Sequence, residues 1–294
     1  MSKISGIFAA TMSILNDDLS LNVEKTIKHA ESLIDQGCHG TAIFGSTGQS
    51  QLITISEKIE LLNLLSDSKH KDKHLIGTGL NSLGETINFM KIATSLNLYN
   101  FLIMPPAYYN YEDREVIKFY SKIIDAIPDS KIILYNFEKL CGYKFSLQCV
   151  KELVHNFPDQ IVGIKDSTYN IFEELKLDNF SIFPGSELKL LKGLQSGCSG
   201  IISATCNVTS KLSRKVYDDF FSNSAQKYHK KLCDVRRVFD EYNLISGLHS
   251  FYANENKIYK NILPPLRLLN ENENKKLIDS LNNLNFKIKS PLAA

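Results

Sequence analysis

A lysine at the end of a short apolar run is the residue in this chain best placed for covalent chemistry. Ile161-Val162-Gly163-Ile164-Lys165-Asp166-Ser167 reads as a strand that carries the Lys165 amine to its carboxyl end. An ammonium taken out of water loses solvation, its pKa falls, and the neutral nucleophilic amine comes within reach near neutral pH. That is what an imine-forming lysine requires. A charged turn after an ordinary strand would look the same in isolation, so the other strand ends carry weight. The run Lys131-Ile132-Ile133-Leu134-Tyr135-Asn136 ends on Tyr135, whose phenol could shuttle a proton beside a neutral amine. Gly45-Ser46-Thr47-Gly48-Gln49 offers two hydroxyls between glycines, a backbone that a small carboxylate can approach closely. Alternation along the strands puts Tyr135 on the face of Ile133, and Lys165 on the face of Gly163 and Ile161. If that face is a barrel interior, the missing side chain at Gly163 leaves room for the lysine to lean inward.

The elements that must hold these residues repeat as strand then helix. Apolar strand-like runs lie at Ile7 to Met12, Gly40 to Gly45, Leu75 to Gly79, Asn100 to Met104, Lys131 to Tyr135, Ile161 to Lys165, Ser181 to Pro184 and Gly200 to Ala204. Most are followed by helix-period stretches such as Val23 to Gln36 and Glu57 to Ser66, the latter opened by a Thr54-x-x-Glu57 capping box. Eight such units predict an α/β fold, a (β/α)8 TIM barrel, and no G-x-G-x-x-G follows the first strand to favour an open sheet. From about residue 208 the pattern is purely helical. The expected organisation is a barrel over residues 1–207 carrying the site, with residues 208–294 as the last barrel helix and a C-terminal helical extension of the same structural unit.

Composition narrows the partners. With 294 residues, 43% of them hydrophobic, the chain can bury a large core. A net charge of +2 with both signs interspersed leaves no footprint for nucleic acid or for a membrane surface. No run of 18 apolar residues occurs, and Met1-Ser2-Lys3-Ile4-Ser5-Gly6 has neither the charged nor the apolar region of a leader. The cysteines at 38, 141, 149, 198, 206 and 233 form no C-x-x-C pair, so a reducing cytoplasm without disulfides is expected, with Cys38 and Cys198 as small buried hydrophobes. The seven histidines are scattered, and only His70 and His74 share a helical spacing. That pair, in a lysine-rich stretch, is read as solvated surface, so no metal site is expected.

Gly45-Ser46-Thr47-Gly48, Thr78-Gly79-Leu80-Asn81-Ser82 with Glu85, Pro105-Pro106-Ala107-Tyr108-Tyr109, Leu134-Tyr135-Asn136, Gly163-Ile164-Lys165-Asp166-Ser167 and Gly185-Ser186-Glu187 occur in this order. Together they resemble the dihydrodipicolinate synthase and N-acetylneuraminate lyase family of class I aldolases and lyases, across essentially the whole barrel. The resemblance implies that Lys165 forms an imine with a 2-oxo acid such as pyruvate, that Tyr135 shuttles protons with Ser46 as relay, and that Ser46 and Thr47 hold the substrate carboxylate. It places the Ile202 backbone and the Gly185-Ser186-Glu187 segment at the bound acid. It sends Tyr108, or in another register Tyr109, into a neighbouring subunit's site, which implies a homodimer or homotetramer. No cofactor beyond the covalent imine is implied.

Departures from the family pattern bear on the second substrate. The position at which lysine-pathway synthases carry a carboxylate-binding arginine is Leu140 here, and the loss of such a contact is worth roughly 1.5–3 kcal/mol. Leucine there resembles the sugar-acid aldolases, yet the acidic pair for sugar hydroxyls maps to Glu187 and Leu188, so only half of it is kept. Ile55 and Lys58 stand where partners of an inhibitory lysine would be histidines, implying no lysine feedback. The leading expectation is an aldolase or lyase joining or cleaving pyruvate and an aldehyde in a 2-oxo sugar acid or related hydroxy-2-oxo acid. The alternatives are 4-hydroxy-tetrahydrodipicolinate synthase, which condenses pyruvate with aspartate semialdehyde, and a catalytically silent ligand-binding regulator.

Overall fold

The computed structural model describes residues 3–292; Met1, Ser2, Ala293 and Ala294, which belong to the expected N-terminal start and C-terminal extension, lie outside the described residues. Eight short strands run parallel: β1 (Gly6–Ala10), β2 (Gly40–Ile43), β3 (His74–Gly77), β4 (Asn100–Ile103), β5 (Lys131–Asn136), β6 (Ile161–Asp166), β7 (Ser181–Pro184) and β8 (Gly200–Ser203). Each pairs with its sequence neighbour from β1 to β7, and β8 returns to pair with β1. Ser199 N donates to Ile182 O at 2.9 Å, drawing β7 and β8 together and nearly closing the (β/α)8 TIM barrel.

The helices are α1 (Val23–Asp35), α2 (Ile55–Leu65), α3 (Leu83–Ser95), α4 (Asp113–Ala126), the single turn α5 (Glu138–Cys141), α6 (Leu147–Asn156), α7 (Leu190–Gln195), α8 (Cys206–Asp218), α9 (Asn223–Asp240), α10 (Leu244–Ala253) and α11 (Glu271–Asn283). The capping box before α2 forms in both directions, and Glu57 also accepts from Leu21 N at 2.7 Å, tying the helix start to the loop after β1. One unit departs from the repeat. After β6 there is only a 3-10 turn at Ile171–Glu173, so the lysine-bearing strand is followed by a loop.

Two apolar layers hold the barrel. The outer one, with Ile43, Ile76, Phe101, Ile132, Leu134 and Ile164, packs strands against helices. The inner one fills the barrel with Phe8, Ala10, Leu75, Leu102, Ile133, Tyr135, Phe183 and Ile202. A third cluster, of Met12, Ile14, Phe239, Leu248, Tyr252 and Tyr259, packs α9, α10 and α11 on the chain leaving β1.

Register corrects the sequence reading at one point. Ile132 lies opposite Ile161 but Ile133 opposite Gly163, so β6 carries an extra residue at Val162. Ile161 therefore packs in the outer layer rather than on the face of Lys165. The space over Gly163 is also occupied, since a Cβ there would come within 2.8 Å of Ile133 Cδ1 and 2.5 Å of Ser181 O. Glycine at 163 thus admits neighbours and leaves no void for the lysine. His74 departs too. It opens β3, is buried, and lies 2.6 Å through Nδ1 from Thr41 Oγ1, its strand partner, so it is no surface residue. Burial holds its imidazole far down, at about 3.

All six cysteines are free and buried, and burial pushes the Cys38 and Cys198 thiols up to about 12. Among the described residues no helix is long and apolar enough to cross a membrane.

Candidate active site

Tyr135 and Lys165 are strand partners in β5 and β6, which brings their side chains to the carboxyl end of the barrel interior. Lys165 is 3% exposed and its Nζ lies 4.2 Å from the centroid of the Tyr135 ring, a cation–π contact. Among the described residues no carboxylate or carbonyl pairs with that ammonium. The Tyr135 hydroxyl lies 3.1 Å from Ser46 Oγ, in the 3-10 turn Ser46–Gly48 that follows β2. The amine thus lies against the phenol ring, whose hydroxyl meets that of the serine. Thr47 is buried beside Ser46.

Neighbouring polar groups fix the strand ends. The Asp166 carboxylate is fully buried and accepts from Asn136 Nδ2 at 3.1 Å, Tyr169 N at 3.1 Å and Ile171 N at 2.9 Å. Asn136 Oδ1 in turn accepts from Phe145 N at 3.2 Å. These bonds lock the backbone on which Lys165 and Tyr135 stand, and none of these acceptors receives a hydrogen bond from the lysine. Tyr169, in the loop after β6, donates to Glu138 of α5, and its ring lies 3.8 Å from Lys144 Nζ.

A cavity of about 330 Å³ opens beside the Ser46–Tyr135 pair, with neither Lys165 nor Thr47 in its lining. Ser46, Tyr135 and Leu140 border it, with Leu140 42% exposed at the mouth. The remaining expected residues stand elsewhere. Ile202 is fully buried in the inner barrel layer. Gly185 donates its N–H to Asp166 O at 2.8 Å, and a Cβ on it would reach 2.4 Å from Ser167 Oγ, so glycine there lets two loops touch. Glu187 is turned away from solvent: Arg236 Nη1 donates to it at 3.0 Å, Ser203 Oγ at 2.7 Å and Thr209 Oγ1 at 3.3 Å. Burial opposes its ionisation, but Arg236 and the hydroxyls of Thr205 and Ser203 outweigh this and hold its carboxyl below the ordinary range. Glu187 is thus not open to a sugar hydroxyl. Tyr108 is 89% exposed with φ of 89° and is stacked edge-on against Tyr109 at 5.1 Å.

A model of the dihydrodipicolinate synthetase family matches residues 3–284. The chain belongs to that family. It is accordingly a lyase. The 4-hydroxy-tetrahydrodipicolinate synthase of Karelsulcia muelleri is 27% identical over 296 residues, 97% of this chain and 99% of the relative. The synthase of the same name from Methanoculleus marisnigri is 30% identical over 230 residues, 74% of this chain and 77% of that one. Among solved structures, a variant of the 2-keto-3-deoxygluconate aldolase of Sulfolobus solfataricus superposes with a TM-score of 0.83 at 19% identity, covering 95% of this chain and 96% of the aldolase. That likeness concerns the fold.

Sequence reasoning missed one wall of the cavity. Asn243 and Ile245 at the start of α10, with Pro265 and Leu266, line it from the C-terminal part of the chain, well beyond the last of the strand-end motifs. It also missed Gln49, held in the left-handed region at φ 54°. Its Oε1 accepts from Leu263 N at 2.8 Å and its Nε2 lies 3.5 Å from His249 Nε2, so the turn bearing Ser46 and Thr47 is clamped by the C-terminal helices. The only signal in the sequence was the residue following G-S-T-G.

Proposed function

We propose that this family member is a class I lyase that joins or cleaves a 2-oxo acid of the pyruvate type and an aldehyde through an imine on Lys165, without a separate cofactor. The observation that carries this reading is the solitary buried ammonium beside the Tyr135–Ser46 pair. A buried cation without a hydrogen-bonding partner is unfavourable. Such an arrangement persists where the neutral amine has work to do. In this scheme the amine attacks the keto carbon, the phenol carries the proton needed to expel water, and Ser46 relays it. Ser46 and Thr47 hold the acid's carboxylate, with the Ile202 and Gly185 backbones alongside. Tyr108, 89% exposed in its own chain, reaches a neighbouring subunit in a homodimer or homotetramer.

Of the two enzymatic expectations, the site favours a hydroxy-2-oxo acid over aspartate semialdehyde. Leu140 borders the cavity where a guanidinium would be needed, and a charge-assisted contact of that kind is worth roughly 1.5–3 kcal/mol. The synthase reading draws on the names of the relatives above. The test is imine trapping: pyruvate with borohydride should add one reduced pyruvate adduct to the peptide bearing Lys165, and Lys165→Met should remove it. Modification at another lysine, or at none, would overturn the scheme.

A further inference from the structure

We infer that the aldehyde taken by this site has an uncharged, predominantly hydrocarbon body, and that Leu140, Met104, Ile245 and Leu266 select it. The inference rests on the imine reading and names its second substrate. None of the residues that line the cavity carries a formal charge. Most of its polar members are already engaged. Gln49 is bonded to Leu263 N and faces His249; Asn243 Oδ1 caps α10 by accepting from Ile245 N at 3.1 Å and Ser246 N at 3.2 Å; Ser46 is paired with Tyr135. Ser50 Oγ is buried in the wall with no partner, shielded from anything entering. Gln51, the other polar side chain of the lining without a hydrogen bond among the described residues, is exposed.

A carboxylate or a polyol entering such a space would give up water without meeting donors in exchange, whereas methylene groups gain by leaving water. The acidic group that could have received sugar hydroxyls, Glu187, is sealed into its pair with Arg236. A cavity of about 330 Å³ stands at the small end of the roughly 300–1,000 Å³ typical of small-molecule sites, so the aldehyde is short. The reaction balances simply. A proton leaves C3 of the pyruvyl imine, the resulting enamine carbon bonds to the aldehyde carbon, and the aldehyde oxygen takes a proton. Water then hydrolyses the imine, returning the Lys165 amine and releasing a 4-hydroxy-2-oxo acid.

The experiment compares kcat/KM for the pyruvate-dependent addition to paired aldehydes of matched shape: 4-methylpentanal against succinic semialdehyde, and 2-methylbutanal against glyceraldehyde. Each apolar member should exceed its polar counterpart at least tenfold, and along propanal, butanal and pentanal the value should rise about fourfold per methylene. Leu140→Arg should shift the first ratio toward succinic semialdehyde by about tenfold to a hundredfold. Because each ratio is taken on one preparation, partial misfolding of the variant cancels. Equal or better turnover of the charged or hydroxylated aldehydes, with Lys165 still trapped by pyruvate and borohydride, would overturn the inference and leave the imine reading standing. Failure of trapping would overturn both.

Discussion

Arg236 and Lys165, two of the cations buried in this barrel, are treated in opposite ways. Arg236 of α9, 7% exposed, donates to Glu187 at 3.0 Å, Ser203 Oγ at 3.1 Å, Thr205 Oγ1 at 3.4 Å and Asp240 at 2.8 Å. Lys165, at 3% exposure, has the face of a tyrosine ring. An arginine fork satisfied on every side is part of the scaffold, and it pins α9 to the segments after β7 and β8. A lysine stripped of water and left without an acceptor contributes little to stability, so its position speaks for chemistry. The contrast yields separate expectations for rate and for stability.

Short of removing Lys165 itself, the largest effect on rate should come from Tyr135→Phe, which keeps the ring over Lys165 and removes the hydroxyl that meets Ser46. Turnover should fall by roughly 10²–10⁴-fold, the usual worth of a positioned proton carrier, with little change in unfolding midpoint. Near-normal turnover in the folded variant would assign Tyr135 to packing alone.

The two cations themselves come next. Arg236→Met leaves the Glu187 carboxylate buried without its cation, and breaking a buried pair in this way costs about 3–5 kcal/mol. Lys165→Met should leave the unfolding midpoint equal or higher while abolishing imine formation, because it replaces an unpaired ammonium by an apolar chain of similar length. Urea denaturation of both variants decides the matter. A destabilised Lys165→Met protein beside an unaffected Arg236→Met one would reverse the assignment of scaffold and chemistry.

How much of this was legible in the sequence follows from how local the signal is. The eight strands, the Thr54–Glu57 capping box and the convergence of Ser46, Tyr135 and Lys165 at one end of the barrel follow from apolar runs and strand order. The bulge at Val162 does not, since alternation is a rule about one strand and the bulge arises from pairing with another. His74 was misplaced because polar neighbours such as Lys71 and Lys73 mask a strand that begins one residue earlier than its apolar run. Glu187 was legible as an acid in the right motif, but its partner Arg236 lies 49 residues onward, in a helix with no motif of its own. The C-terminal wall of the cavity, at Asn243 to Leu266, was likewise beyond reach, because tertiary packing alone brings it to the strand ends.

A third group of buried titratable residues sharpens the comparison, since these are kept neutral. His29 Nε2 donates to Asn207 Oδ1 at 2.8 Å, leaving Nδ1 to accept from the Tyr259 hydroxyl at 3.0 Å. His249 Nδ1 donates to Tyr259 O at 2.9 Å, so its bare Nε2 faces the Gln49 amide at 3.5 Å. A second proton on either ring would meet a donor. Burial accordingly lowers both from 6.5 to about 4. The sign follows directly: as pH falls through 6.5 the unfolded chain takes up protons that the folded chain refuses, so the stability present in full above 6.5 is lost progressively down to about 4. Between pH 7 and 5 each histidine should remove roughly 1–2 kcal/mol, with His74 adding to the same trend. The depressed carboxyls of Glu57 and Glu187 start from an ordinary value of 4.5 and weaken the fold only at lower pH, which leaves this window to the histidines. Urea midpoints at pH 7 and 5 should therefore fall together with pH, and the fall should shrink in His29→Gln and His249→Gln. A midpoint that holds steady across that interval would mean these rings gain protons without disturbing their bonds, and that the clamp from the C-terminal helices onto the Ser46–Gly48 turn through Gln49 is looser than its distances indicate.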